Sequence, residues 1–211
     1  MAIDDLLDEH EQGEKVRSWL QSNAIGLIGG VALGLALIGG WQWWQRQQEA
    51  ARIQAGEHYQ AAVDSIHGNN LQQGQALVSA LPRGTYATLA ALNLAKAQLG
   101  SGQRESAIAT LRATNPSEPA LAAVVTQRLA RLLIDAGKAN DALKLLPVQS
   151  TDAEMLQTRG DAEYALGHRD DARAAYAQAL AHMGVGAPQR RLVELKISEV
   201  GGSTAKPEAK T

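Results

Sequence analysis

The sequence predicts an all-α protein with a single N-terminal transmembrane helix followed by an α-solenoid of paired helices. A long apolar run without charges lies near the N-terminus. The rest of the chain has apolar residues at three- and four-residue spacing, interrupted by glycine- and proline-containing breaks, and no alternating pattern typical of strands. One pattern of small residues also occurs three times, which is typical of a repeat array.

The composition supports helices and excludes several classes of function. Of the 211 residues 45% are hydrophobic, yet phenylalanine is absent and aromatic residues make up only 4%. The core must therefore be built from leucine and small residues, which suit close helix packing. A formal net charge of −2 gives no global attraction to nucleic acid. The absence of cysteine excludes disulfides, thiolate chemistry and cysteine metal sites.

The apolar run is interpreted as a membrane anchor. No charged residue lies between Arg17 and Arg46, and residues 24–44 have about the length that a helix needs to cross ~30 Å of hydrocarbon. The tryptophans of this region stand where interfacial rings are found, at Trp19, Trp41, Trp43 and Trp44. A cleaved secretory signal is the alternative. No Ala-x-Ala pattern follows the run, so an uncleaved signal anchor is favoured.

Small residues recur along one face of the predicted span. Gly26, Gly30 and Gly34 are four residues apart, a spacing that lets helix backbones approach closely in lipid. This stripe predicts a helix partner in the bilayer, although the general frequency of glycine in membrane helices explains it equally well. The orientation stays open from charge alone, because two basic residues lie on each side of the run.

Four segments are predicted along the chain. Residues 1–23 form an acidic tail with a short amphipathic stretch, and residues 24–44 form the anchor. Residues 45–199 form the helical domain. Residues 200–211 lack the apolar side chains that would offset the entropy of ordering them, so they are expected to be disordered.

The helical domain contains the internal repeat. A small residue stands seven positions before a glycine, an alanine follows five positions after it, and leucine or tyrosine comes four positions later. The first copy is Ala95, Gly102, Ala107 and Leu111; the second is Ala130, Gly137, Ala142 and Leu146; the third is Gly160, Gly167, Ala172 and Tyr176. Successive copies are 35 and then 30 residues apart, which brackets the tetratricopeptide period of about 34 residues.

Each part of this pattern has an expected structural role. The middle glycine is expected in a left-handed turn between two helices, and the small residues are expected where the two helices approach closely. Ordinary helical hairpins also have glycine in their turns, so coincidence is the alternative. Residues 46–67 and 70–81 suggest an additional, degenerate pair, and residues 188–199 suggest a capping helix with a polar outer face.

No catalytic constellation is evident in the sequence. The five histidines show no metal-binding spacing, and no glycine-rich phosphate loop is present. The charged residues at 169–173 are interpreted as helix capping, and Arg190 with Arg191 as a solvated basic pair. The prediction is therefore a protein that is not an enzyme and uses no cofactor, metal, nucleic acid or small-molecule substrate.

Together these features resemble the YfgM family, ancillary subunits of the bacterial SecYEG translocon. The resemblance covers about residues 10–199 and rests on the order of the elements. These are an acidic tail with Glu14, Lys15 and Arg17, the Trp19-Leu20 stretch, the glycine-rich span, the Trp-Gln-Trp-Trp segment and the tetratricopeptide-like pairs. The chain departs from the family in its Gly-Gly-Ser tail and its weak aromatic repeat positions.

The resemblance implies a single-pass protein of the bacterial inner membrane, with a cytoplasmic N-terminus and a periplasmic helical domain. It further implies a non-enzymatic scaffold that acts beside SecYEG with the membrane-anchored chaperone PpiD, and links exported proteins to periplasmic chaperones. A tetratricopeptide adaptor for cell-wall or outer-membrane assembly machinery is the alternative, because the anchor and the repeats serve it equally well.

Overall fold

The computed structural model describes the backbone of residues 4–202 and the side chains of residues 13–26 and 28–202. Every regular element in this part of the chain is an α-helix, which confirms the all-α prediction. The predicted disordered tail from residue 203 onward lies outside the described residues, as do the side chains of the first acidic residues.

The first helix, α1, runs from Asp4 to His67. It passes without a break through the residues predicted as tail, anchor and first domain helix. By length and hydropathy, no single straight helix among the described residues qualifies as a membrane span. The segments Gly13–Gly26 and Ile28–His67, related by a bend of 44°, qualify only as a pair.

The chain divides into two compact units, one up to Gln54 and one from Ala55 onward. In the first unit the structure describes only α1, from Asp4 to Gln54. The second holds the end of α1 and eight further helices among the described residues. These are α2 Leu71–Ala80, α3 Thr85–Gly100, α4 Arg104–Ala113, α5 Pro119–Asp135, α6 Ala139–Leu145, α7 Ala153–Ala165, α8 Arg169–His182 and α9 Arg190–Glu199.

The helices of the second unit pack mainly against their neighbours in sequence. Three hairpins form from α3 with α4, α5 with α6, and α7 with α8, while α9 packs on α8. The first helices of successive hairpins also touch, α3 with α5 and α5 with α7. Contacts restricted to adjacent repeats define a solenoid, in which each hairpin buries a face that it could not bury alone.

The three repeat glycines end the first helix of each hairpin. Gly102, Gly137 and Gly167 have φ of 76°, 72° and 81°, the left-handed region in which a Cβ is unfavourable. The amide after each glycine bonds back to the carbonyl five residues earlier, at 2.8 Å for Gln103 and Lys138 and 2.9 Å for His168. Each turn is therefore a Schellman motif, which satisfies carbonyls that the helix end leaves free.

Polar caps and proline set the helix starts. The Asn70 side chain accepts from the Gln73 amide at 3.2 Å and starts α2, and Asp152 accepts from the Glu154 amide at 2.8 Å and starts α7. Pro119 occupies the first turn of α5, where its missing N–H removes no helical bond. These local signals mark the starts of α2, α5 and α7, and the repeat glycines mark the turns inside the hairpins.

Candidate interaction surface and its supporting contacts

The small residues of the repeat lie at the contacts inside each hairpin. Ala107, Ala142 and Ala172 are completely buried, as is Ala130. Ala95 is 4% exposed. With no more than a methyl group on these side chains, the two helices of a hairpin come close and the leucines fill the space around them.

The third repeat uses a different pair of side chains at the same place. A Cβ built on Gly160 would lie 2.4 Å from Cε1 of Tyr176, so only glycine leaves room for that ring. Tyr176 is 2% exposed and donates a hydrogen bond to Asp161 at 2.7 Å. Burial, followed by the bond to Asp161, raises the pKa of Tyr176 well above its usual range.

The first helices of the three hairpins form one candidate surface for binding a partner. We call the outer surface of α3, α5 and α7 the A-helix face. Side-chain bonds connect these helices: Thr85 of α3 to Glu118 at the start of α5, and Gln127 of α5 to Glu154 of α7 at 2.7 Å. Half-exposed Leu99 of α3 and Tyr164 of α7 lie at equivalent positions of their repeats, whereas the Tyr86 ring packs 5.5 Å from that of Tyr59 on α1. The A-helix face therefore offers apolar contact area on a rigid support.

The C-terminal end of the array is held by polar contacts between α7, α8 and α9. Asp161 accepts hydrogen bonds from Lys196 at 2.6 and 2.8 Å in addition to the bond from Tyr176. Tyr164 donates to Glu199 at 2.8 Å, and this bond raises the pKa of Tyr164 because the ionised phenolate would face a carboxylate. α9 thus closes the solenoid through charged bonds as well as through its buried residues Val193 and Ile197.

Two ion pairs involve the second repeat, one that reaches the first repeat and one within α6. Lys138, in the α5–α6 turn, reaches Glu105 of α4 at 2.7 Å, and its hydrogen bond lowers the pKa of Glu105. Lys144 approaches Asp141 at 2.8 Å and lowers the pKa of that carboxyl in the same way. Surface pairs of this kind contribute little individually.

Sequence reasoning missed a cluster formed by Glu163, His168 and Asp171. Their potential ligand atoms all lie within 4.8 Å of one another. One oxygen of the buried Glu163 accepts from Arg159 at 3.2 Å and the other contacts Nδ1 of His168 at 2.9 Å. The positive guanidinium of Arg159 on the Glu163 carboxylate would repel a divalent cation. We therefore interpret the cluster as a polar network across the turn and not as a metal site. The signal was the five-residue spacing from Glu163 to His168 over Gly167.

Two interpretations of the C-terminal region were wrong. Arg190 is not a solvated residue, because it donates to the carbonyls of Leu180 at 3.2 Å and Met183 at 3.3 Å and pairs with Glu194. The outer face of α9 is not polar, since Leu192 and Leu195 are both exposed. The charged cluster at 169–173 does place Asp170 and Asp171 in the first turn of α8, where acids complement the helix dipole.

The residues predicted for the membrane segment are exposed on α1. The side chains of Trp19, Trp41, Trp43 and Trp44 are all exposed, and the rings of Trp41 and Trp44 lie with their centroids 5.4 Å apart and their planes tilted by 54°. A Cβ built on any of the three stripe glycines, Gly26, Gly30 and Gly34, meets no atom within 4 Å. Their roles at a membrane interface and in helix packing stay predictions.

These hairpins, with glycine turns, small-residue contacts and a capping helix, define a tetratricopeptide-like solenoid. The family model for the tetratricopeptide repeat-like domain matches residues 17–202. Three curated relatives have the same name, ancillary SecYEG translocon subunit. That of Escherichia coli K12 is 30% identical over 80% of this chain and 85% of its own length.

The other two relatives extend the match. The protein of Haemophilus influenzae is 25% identical over 82% of this chain and 89% of its own length. That of Aggregatibacter actinomycetemcomitans is 22% identical over 92% and 98%. The chain belongs to the YfgM family of ancillary SecYEG translocon subunits, within the tetratricopeptide repeat-like class.

Proposed function

We propose that this protein is a non-enzymatic, membrane-anchored subunit that works beside the Sec translocon and links exported chains to periplasmic chaperones. Family membership carries the proposal, because relatives with the name ancillary SecYEG translocon subunit match 80% or more of this chain. The solenoid supports it, since stacked helix pairs present extended binding surfaces. The membrane-anchored chaperone PpiD is the proposed partner of the A-helix face.

The anchor belongs to the same proposal. Along residues 24–44 the large apolar side chains that the structure describes are exposed, including Ile25, Leu35 and Trp43. At 1.5 Å per residue this stretch covers roughly 30 Å, the thickness of the hydrocarbon core. Apolar surface on this scale is unfavourable in water and favourable in lipid. We propose a single span with the N-terminus in the cytoplasm and the helical domain in the periplasm.

Co-isolation from native membranes tests the partners. In separate variants of the full-length chain, a photo-crosslinking residue replaces Leu99 or Arg128 on the A-helix face. Ala177 on α8 is replaced as the matched control, and all three positions are exposed. We expect the A-helix positions to capture a translocon subunit or a membrane-anchored chaperone, and the control position to capture less. Capture of cytosolic proteins only would refute the proposal. Co-isolation with cell-wall synthases, without translocon subunits, would favour an envelope-assembly adaptor.

Two further measurements test the anchor. A C-terminal reporter that is active only outside the cytoplasm is expected to be active, and a reporter signal from the cytoplasm would overturn the orientation. Gly30→Leu is expected to weaken association with translocon subunits if the stripe packs on a helix in lipid. Gly39→Leu, off the stripe, is its matched control. Equal effects of the two changes would remove the stripe from the proposal.

A further inference from the structure

A groove lies between α2 and α4 on the surface of the second unit. Both helices pack on α3 or its turn and enclose a cavity of about 610 Å³. The buried side chains of Thr88, Ala91 and Leu94 form its floor. The groove follows helices of ten residues each, a length of roughly 15 Å. About four or five residues of extended chain cover that distance.

The groove is more apolar than its residue names suggest. Four of the five serine and threonine hydroxyls of the lining donate to acceptors within the molecule, so their carbon atoms are left to face the cavity. These bonds are Ser79 to the Gln75 carbonyl at 2.8 Å, Thr88 to the Gly84 carbonyl at 3.1 Å, Thr110 to the Gln98 side chain at 2.8 Å, and Thr114 to the Thr110 carbonyl at 2.8 Å. Alanines, together with Val78 and Leu81, supply most of the remaining wall, and the short alanine side chains keep the groove open. Three polar side chains complete the lining: Gln75, Ser106 and Asn115.

The charge of the groove has one sign. Arg83 is the only charged residue of the lining, it is exposed, and no acidic residue lines the cavity with it. Among the residues that the structure describes, no ion pair involves Arg83. A carboxylate on the occupant would therefore gain a charged hydrogen bond without displacing an internal partner.

The corresponding place in the third repeat is different. The groove beside α7 and α8 holds only about 230 Å³, and Arg159, Glu163 and Asp171 line it. Its charges are engaged with one another, since Arg159 pairs with Glu163 at 3.2 Å. The wide, carbon-lined groove between α2 and α4 is thus a property of these helices and not a consequence of stacking hairpins.

We propose that the groove between α2 and α4 directly binds a short, extended, apolar peptide segment that carries a carboxylate near Arg83, as presented by a non-native exported chain. Its volume falls in the range of ligand sites, its walls match apolar side chains, and Arg83 sets the polarity of the bound segment. This inference rests on the proposed function and names the substrate class that the subunit itself contacts.

Peptide titration of the full-length chain in phospholipid nanodiscs tests the site. The probes are the blocked peptides Leu-Val-Leu-Ala-Asp and Leu-Val-Leu-Ala-Lys, each with a single side-chain charge, and calorimetry measures their affinity. We expect the Asp peptide to bind more tightly. Filling the groove with Ala109→Leu plus Ala113→Leu is expected to weaken binding at least about tenfold. Both alanines are exposed on α4, so the core is untouched.

Matched controls separate the groove from general effects. Ala177→Leu adds the same side chain on α8 outside the groove and is expected to leave the affinity unchanged. Arg83→Glu is expected to reverse the preference in favour of the Lys peptide, whereas Arg128→Glu on α5 is not. Because Arg83 is exposed, this reversal tests the site even if the filled variant fails to fold.

Several outcomes would overturn the assignment. These are no binding of either peptide by the wild type, equal affinities of the filled variant and the wild type, or an equal loss from Ala177→Leu. Conversion of a wild-type dimer into monomers by the filled variant, seen by light scattering, would assign the groove to a second copy of the chain. Co-isolation of translocon subunits is measured on the same variants. Any of the overturning peptide results, obtained while translocon subunits still co-isolate with the wild type, counts against the groove and leaves the proposed function standing.

Discussion

Gly160→Ala gives the sharpest test of how the third repeat is packed. In an open helix, this change stabilises by up to about 1 kcal/mol, because glycine is the poorer helix former. Here the new Cβ would lie 2.4 and 2.5 Å from two ring carbons of Tyr176. The ring cannot swing away, because it is 2% exposed and its hydroxyl is bonded to Asp161.

The expected magnitude is the balance of these two effects. Overpacking of a closed core costs about 1–3 kcal/mol, and an approach of 2.4 Å places this change at about 2–3 kcal/mol. A net loss of about 1–2 kcal/mol therefore remains after the gain in helix propensity of about 1 kcal/mol. For a domain of this size, that loss lowers the melting temperature by about 2–8 °C. Circular dichroism of the full chain in nanodiscs measures it. Gly100→Ala is the matched control, since a Cβ there meets no atom within 4 Å.

A double-mutant cycle makes the test stricter. Tyr176→Leu alone is expected to cost about 2–4 kcal/mol, because it leaves a cavity beside Gly160. The double variant recreates the alanine–leucine pair that Ala95 and Leu111 form in the first repeat. We expect it to be more stable than the sum of the single changes by about 1 kcal/mol or more. A Gly160→Ala protein as stable as the wild type would refute this account.

Three further predictions concern the turns and the polar contacts. Gly137→Ala should destabilise by about 1 kcal/mol in thermal melts, because a Cβ is strained at φ 72°. Lys138→Met should lower stability at neutral pH, and the difference from wild type should vanish in acid melts. The bond from Lys138 lowers the pKa of Glu105, so its contribution exists above the usual carboxyl pKa and is lost as the pH falls through the folded value. Asp161→Asn should speed hydrogen exchange in α9, because it weakens the bond to Lys196. For this partly buried pair we expect the free energy of opening of α9 to fall by about 1–3 kcal/mol.

Each of these predictions has a control of the same chemistry. Gly184→Ala adds a Cβ in open space without a left-handed φ and should be neutral. Lys96→Met and Asp135→Asn remove exposed charges and should change neither the acid profile nor exchange in α9. A parallel loss across the pH range for Lys138→Met would show that the ion pair is not its cause. Unchanged exchange in the Asp161 variant would mean that apolar contacts alone hold α9.

The hairpin boundaries could be predicted from the sequence because their signals are local. Gly102, Gly137 and Gly167 stand at fixed distances from their small-residue partners, and the left-handed turn needs nothing from the rest of the chain. The end of α1 at His67 agrees with the predicted break, whereas its continuity from Asp4 was harder to predict. No proline occurs before Pro82, and glycine alone does not break a long helix, so one element replaces the separate segments predicted from composition.

Long polar side chains account for most of what the sequence did not predict. Arg190 donates to carbonyls at the end of the preceding helix. Arg159 donates to the Glu163 carboxylate, which also contacts His168 across the following turn. Both arrangements depend on where neighbouring helices end in space, which periodicity does not specify. The groove beside α3 could not be predicted for a related reason. Its hydroxyls reach acceptors within the molecule only once each helix is formed.

The glycine–tyrosine contact in the third hairpin also bears on how the array reaches its final order. Chains built from similar units can misfold by pairing a helix with the wrong copy. Tyr176 fits against Gly160, but a ring brought to Ala95 or Ala130 would collide with a methyl group. A helix carrying Leu111 or Leu146, placed against Gly160, would leave a void. Mispairing that involves the third hairpin is thereby penalised in the core, so the exchange of side-chain volumes at Gly160 and Tyr176 distinguishes this hairpin from the other two.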